Sequence, residues 1–145
     1  MFVHRHLRGL HKQETIMTIQ NKGTALITGA STGISAVYAD RVAWRGCDLL
    51  LVVRNQDKLA RLAQHTTDRT GGSVEVLAAD MNDKAGLARV ETTPKCDASI
   101  TMLVNNASVG SHKPLLDSEV DAMDVMIALN VTALTRLTYA AAPVM

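Results

Sequence analysis

Aromatic side chains are nearly missing from this sequence: one Trp, two Tyr and one Phe among 145 residues. Proteins that grip single-stranded nucleic acid stack bases on such rings, so that class is disfavoured at the outset. An excess of one charge is missing too. Fifteen Lys and Arg face fourteen Asp and Glu, and a formal net charge of +1 offers no footprint for nucleic acid. No apolar run approaches the roughly 20 residues that span a bilayer, so no membrane partner is expected. Cysteine is scarce as well. Cys47 and Cys96 match no metal-ligand spacing, so no metal site is expected, and two isolated thiols suit a reducing cytoplasm. Repeats, linkers and low-complexity stretches are absent. What remains, 47% hydrophobic and 20% charged, is the composition of a globular domain with a real core.

Residues 1–16 (MFVHRHLRGLHKQETI) differ from everything after them. Arg5, Arg8, Lys12 and three histidines precede the first acid, Glu14. A mitochondrial presequence is basic and acid-poor in this way, but it is usually rich in serine, and this segment has none. A secretory signal would need an apolar core that is missing. His4, His6 and His11 read as a solvated tail rather than metal ligands. Residues 1–16 are therefore expected to be a disordered basic extension, with the domain running from Met17 to Met145.

The domain is organised around Thr24 to Ser35, TALITGASTGIS. A short apolar run (Ala25, Leu26, Ile27) meets a glycine turn and then a helical pattern that opens with small side chains. A helix start of this kind presents bare backbone N–H groups and a positive dipole end to an anion. Gly29 permits the turn, and Gly33 lets a phosphate approach the backbone. The spacing is neither GxGxxG nor a Walker A loop, which needs a lysine after its last glycine. It is TGxxxGxG, with Ser35 in the last glycine place.

Ile34, Val37, Tyr38, Arg41, Val42 and Arg45 then recur at helical spacing, closed by Gly46. Leu49 to Val53 is a continuous apolar run, the pattern of a strand buried on both faces. Asn55 is expected to cap a helix carrying Leu59, Leu62 and Ala63, ended by Gly71-Gly72. Val74 to Ala79 reads as a third strand. A short helix from Asp83 to about Glu91 comes next, cut off by Thr92-Thr93-Pro94. Ile100 to Val104 is the fourth strand. The last element is one long helix, begun by a capping box of Ser118 and Asp121. Its stripe is Val120, Met123, Ile127, Asn130, Leu134, Leu137 and Ala141. Asn130 is its one polar member, either a buried amide bonding its own helix or a site residue. Four alternations of strand and helix give an α/β fold, a doubly wound parallel sheet of about four strands.

Ligands of open parallel sheets bind at the carboxyl ends of the strands. Those ends hold Gly29 to Gly33, Arg54-Asn55, Asp80-Met81 and Asn105-Asn106-Ala107-Ser108: a phosphate turn, a cation, an acid and an amide pair. With these residues the chain resembles the short-chain dehydrogenase/reductase family of NAD(P)-dependent oxidoreductases over about Thr24 to Met145. The resemblance implies a Rossmann-type sheet in strand order 3-2-1-4. It implies cofactor contacts at Gly29, Ser31, Thr32, Gly33, Ile34, Asp80, Met81, Asn106 and Ala107, with Asp80 at the adenine. Asn105-Asn106-Ala107 matches the family's NNAG motif, with Ser108 for its glycine. Asn130, in LNVTA, falls on the asparagine of the family's catalytic tetrad. Arg54 stands directly after the second strand, where an acid would favour NAD. A guanidinium suits a 2′-phosphate, so NADP is preferred.

Three departures qualify the resemblance. Ser35 adds a hydroxymethyl group where a glycine lets helix and strand approach, at an overpacking cost of about 1–3 kcal/mol unless absorbed. Ser108 raises the same question at the fourth strand. The third concerns chemistry: the family's reaction uses a serine and a Tyr-x-x-x-Lys pair. Here Tyr38 is followed four residues on by Val42 and Tyr139 by Pro143, and no lysine follows Lys113. The expectation is a truncated NADP-dependent reductase whose full-length family moves hydride between nicotinamide and a carbonyl or alcohol substrate. The alternatives are a non-catalytic nucleotide-binding module and a non-functional remnant. With the fourth strand at an edge and the last helix showing an apolar stripe, the chain is expected to form homo-oligomers or aggregate.

Overall fold

The computed structural model describes residues 22–30, 34–55 and 59–145, and the side chains of residues 60–62 fall outside that description. The extension expected at residues 1–16, the boundary at Met17, and the candidate contacts Ser31, Thr32 and Gly33 all lie outside the described residues. Four strands, β1 (Thr24–Thr28), β2 (Asp48–Val53), β3 (Val74–Ala78) and β4 (Ile100–Val104), alternate with helices α1 (Ile34–Ala43), α2 (Ala60–Thr70) and α3 (Lys84–Cys96). After β4 come a single 3-10 turn at Leu115–Asp117 and then α4 (Val120–Ile127). A π-helical segment (Ala128–Ala133) joins it to α5 (Leu134–Ala141).

All strand pairs are parallel and the order is β3-β2-β1-β4, as expected. Residues 49–53 of β2 are all buried, because helices cover both faces of the sheet. Alternate side chains divide between two cores. Ala25, Ile27, Leu49, Leu51 and Val53 meet Ala39, Val42 and Ala43 of α1 on one face. Leu26, Leu50, Val52 and Ile100 meet Leu87 and Val90 of α3, together with Ala133 and Leu137, on the other. Arg136 of α5 makes a two-pronged ion pair with Glu91 of α3 across the second layer, and that carboxylate raises the guanidinium pKa further. No helix among the described residues is long and apolar enough to cross a membrane.

Several local expectations need correction. Of the repeat read along α1, only Val42 is buried; Ile34 is 82% exposed, Val37 60% and Tyr38 46%. Ser35, Ala39, Val42 and Ala43 face the sheet instead, since small side chains let the helix lie close. Asn55 does not cap α2, whose N-cap position is Leu59 and carries no side-chain bond. Helix α3 does not stop at Glu91. It runs through Pro94 to Cys96, because a proline in the last turn forfeits one backbone bond and its ring is buried.

The last helix is interrupted rather than continuous, and its capping box is not formed. Ser118 Oγ donates back to the Pro114 carbonyl (3.0 Å), and Glu119 takes the N-cap position. The π segment inserts wide turns and rotates the faces of α5 relative to α4. The buried set is therefore Ala133, Leu137, Ala140 and Ala141, while Val120, Ile127 and Leu134 of the expected stripe are exposed.

Candidate functional site

The glycine turn after β1 is held by what it must avoid. Gly29 has φ +69°, and a Cβ there would stand 2.6 Å from Ala107 Cα. Only glycine allows the turns after β1 and β4 to touch. Thr28, buried as the last residue of β1, fastens them together. Its hydroxyl oxygen accepts the backbone N–H groups of Asn106 (3.0 Å) and Ala107 (3.1 Å). Asn106 Nδ2 donates to the carbonyls of Thr28 (3.3 Å) and Gly29 (3.5 Å). Sequence reasoning misses Thr28. Its signal is a lone hydroxyl ending an apolar strand, a group that must find partners once buried.

Ser35 resolves the first departure. It is buried, and its Oγ donates to the Gly29 carbonyl at 2.8 Å, so the added group ties the helix start to the turn instead of prying them apart. A second glycine missed in the sequence sits across the site. In α3 a Cβ on Gly86 would lie 2.1 Å from the Asp80 carbonyl oxygen. Gly86 thus sets how closely α3 approaches the loop after β3, and Asp83 caps that helix by accepting the Gly86 N–H (2.9 Å). Asp80 itself is exposed, with Oδ1 accepting the Asn82 N–H at 2.9 Å.

Asn130 lies in the π segment, and its amide bonds the chain after β4 rather than its own helix. Its Oδ1 accepts the Val109 N–H (3.0 Å) and its Nδ2 donates to the Val109 carbonyl (2.7 Å), a two-point clamp on the chain leaving β4. Asn105 adds a third tie, donating from Nδ2 to Thr138 Oγ1 of α5 (3.0 Å).

These ties shape a cleft of about 620 Å³ along the carboxyl edge of the sheet. Gly29, Ile34, Arg54, Asp80, Met81, Asn106 and Ala107, all described candidates, line it together. Asn82, Ser108, Val109 and, from the final helical region, Val125 and Leu129 also belong to the wall. Asn130 is not on that wall and acts through Val109. Arg54 is exposed at the rim, and none of the described carboxylates pairs with it. Asn82 Oδ1 is buried without a hydrogen-bond partner among the described residues.

The cleft fits an extended, anionic, partly aromatic ligand such as a dinucleotide. Gly29, without a side chain, lies on its wall, with a guanidinium at one rim and an acid beside an apolar thioether. Among the described residues it holds no phenol: Tyr38 and Tyr139 are both exposed elsewhere, Tyr139 at 81%.

Comparison with known proteins agrees with this architecture. Residues 23–145 match the short chain dehydrogenase family. A very-long-chain 3-oxoacyl-CoA reductase of Meyerozyma guilliermondii is 34% identical over 123 residues, 82% of this chain and 36% of that protein. A short-chain dehydrogenase from Sphingobium yanoikuyae, solved in complex with NADPH, is 45% identical with a TM-score of 0.81, covering 83% of this chain and 47% of that one. The bulky-bulky ketone specific alcohol dehydrogenase from Comamonas testosteroni is 40% identical at a TM-score of 0.80, covering 83% and 49%. The chain thus spans between a third and a half of the length of these relatives. By its matched family, its parallel sheet and the cleft over its strand ends, this chain belongs to the short-chain dehydrogenases.

Proposed function

We propose that the chain binds NADP(H) in the cleft and supplies the cofactor-binding part of a hydride transfer between the nicotinamide and a carbonyl or alcohol substrate. The observation that carries the cofactor choice is Arg54: a guanidinium stands directly after β2, unpaired by any described carboxylate. NADPH in the Sphingobium relative and NADP in a metagenomic short-chain oxidoreductase, 31% identical at a TM-score of 0.79, support the same reading. A ketone substrate is favoured because the named relatives act on 3-oxoacyl-CoA or bulky ketones. Two cysteines without disulfide partners support a cytoplasmic setting.

The bound nicotinamide supplies the hydride chemistry. This chain's residues would hold the cofactor: Gly29 would leave the turn open to phosphate, Asp80 and Met81 would take the adenine, and Arg54 would neutralise the 2′-phosphate. Asn130 fixes Val109, and with it the chain leaving β4. What the 145 residues do not contain is a Tyr-x-x-x-Lys pair. That favours a second reading, a nucleotide-binding module that is not itself a catalyst. Both are tested by titrating the chain with NADPH and NADH. NADPH should bind at least tenfold more tightly, and Arg54→Asp should reverse the order, since one charge-assisted phosphate contact is worth about 1.5–3 kcal/mol. Equal affinities in parent and variant would overturn the cofactor assignment.

A further inference from the structure

Ser108 is the one residue at the β4 end whose backbone neighbours are fastened on both sides while its own hydroxyl has no partner among the described residues. Before it, the Asn106 and Ala107 N–H groups are bound to Thr28 Oγ1. After it, both backbone groups of Val109 are bound to the Asn130 amide. Ser108 is exposed and lines the cleft. Its backbone is outside the left-handed region, so a side chain there costs no strain. A pinned backbone carrying a short exposed hydroxyl on a cleft wall is a preorganised hydrogen-bonding group.

The sheet order says which part of a ligand it meets. Arg54 and Asp80 stand beyond β2 and β3, on one side of the β1 turn, and Ser108 beyond β4, on the other. A dinucleotide with its 2′-phosphate at Arg54 and its diphosphate at Gly29 extends toward Ser108 with its second nucleoside. We propose that the Ser108 hydroxyl hydrogen-bonds the ribose on the nicotinamide side of the cofactor, a contact that glycine at this position does not make. The inference rests on the NADP(H) reading above.

The test is binding, not turnover. NADPH and adenosine 2′,5′-bisphosphate, which lacks the nicotinamide ribose, are each titrated calorimetrically into the parent, Ser108→Ala, Ser108→Gly and Ser108→Thr. Alanine and glycine should weaken NADPH by about threefold to tenfold and leave the bisphosphate unchanged, and threonine should restore NADPH. Undiminished NADPH affinity in the alanine and glycine variants overturns the inference alone. So does an equal loss of both ligands in those variants. A parent that binds neither ligand removes the NADP(H) reading and the inference with it.

Discussion

Thr28→Val is the substitution that most directly tests how the site is built. Valine keeps the shape of threonine and its preference for strands, so it leaves β1 intact and removes one oxygen. That oxygen, on a residue only 1% exposed, accepts two part-buried backbone N–H groups, those of Asn106 and Ala107, and its hydroxyl donates to the Val104 carbonyl at 3.4 Å. Leaving a fully buried donor unsatisfied costs about 1–3 kcal/mol, and a half-buried one falls toward the lower end. Because the two donors share one acceptor, the combined loss should be roughly 2–4 kcal/mol, a sizeable part of the 5–15 kcal/mol that holds a domain together. At about 3–4 °C per kcal/mol for a chain of this size, the melting temperature should fall by about 6–16 °C. NADPH affinity should drop by more than about tenfold, since the turn after β4 loses its anchor. Thermal melting by circular dichroism and fluorescence titration measure the two effects. Thr28→Ser, which keeps the oxygen, should lose only the small contribution of a methyl group. A valine variant matching the parent in both measurements would show that the hydroxyl pins nothing.

Other outcomes rest on the same geometry. Gly86→Ala should destabilise by at least about 2 kcal/mol in urea unfolding, because its Cβ would fall 2.1 Å from a backbone oxygen that α3 must retreat from; an unchanged midpoint would contradict this. Size-exclusion chromatography should find oligomers or aggregate rather than a monomer, given the outer edge of β4, unpaired among the described residues, and the exposed Ile34, Val37, Ile127 and Leu134. Removing residues 1–16 should leave NADPH affinity unchanged, as their composition break predicts, and a marked loss would refute it. The chain by itself should not oxidise NADPH with a panel of ketones above background, since no described phenol lines its cleft and general acid–base help is worth about a hundred- to ten-thousand-fold. Turnover by the purified 145-residue chain would sink that expectation.

Strand positions are legible because each strand is a short apolar run bounded by polar or glycine residues, and the alternation with helices makes the sheet parallel; the order 3-2-1-4 comes from the family resemblance. Once the strands are placed, their carboxyl ends bring Gly29, Arg54, Asp80 and Asn106 to one cleft with no further information. Helix faces are less legible. Along α1 the large apolar residues share the helical period with small ones, and close approach to a sheet selects the small. Hydrophobicity therefore points to Ile34, Val37 and Tyr38, while Ser35, Ala39 and Ala43 are buried beside Val42. The Ser118-x-x-Asp121 spacing misleads for a different reason. The 3-10 turn just before it offers a carbonyl within reach of the same hydroxyl, and the backward bond wins.

The π segment explains both the remaining misreading and the role of Asn130. An α-helix advances about 100° per residue, so a stripe with steps of three and four stays on one face only while the turns are regular. Wide turns over Ala128–Ala133 break that phase, and nothing in LNVTA announces them locally. The interruption is costly in packing, for it leaves Ile127, Val131 and Leu134 exposed. Its return is positional. Asn130 meets Val109 edge-on, with donor to acceptor and acceptor to donor, as a neighbouring strand would. A chain leaving β4 has lost its ladder partners, and its backbone groups would otherwise turn to water. One amide thus extends the order of the sheet a few residues past its last strand, to where the cleft is walled. Asn130→Ala should accordingly cost little at β4 itself and much at Val109: hydrogen exchange should accelerate at the Val109 amide while the amides of β1 stay protected. Faster exchange throughout the sheet would show that Asn130 supports the whole fold, and unchanged exchange at Val109 would show that the clamp does not hold in solution.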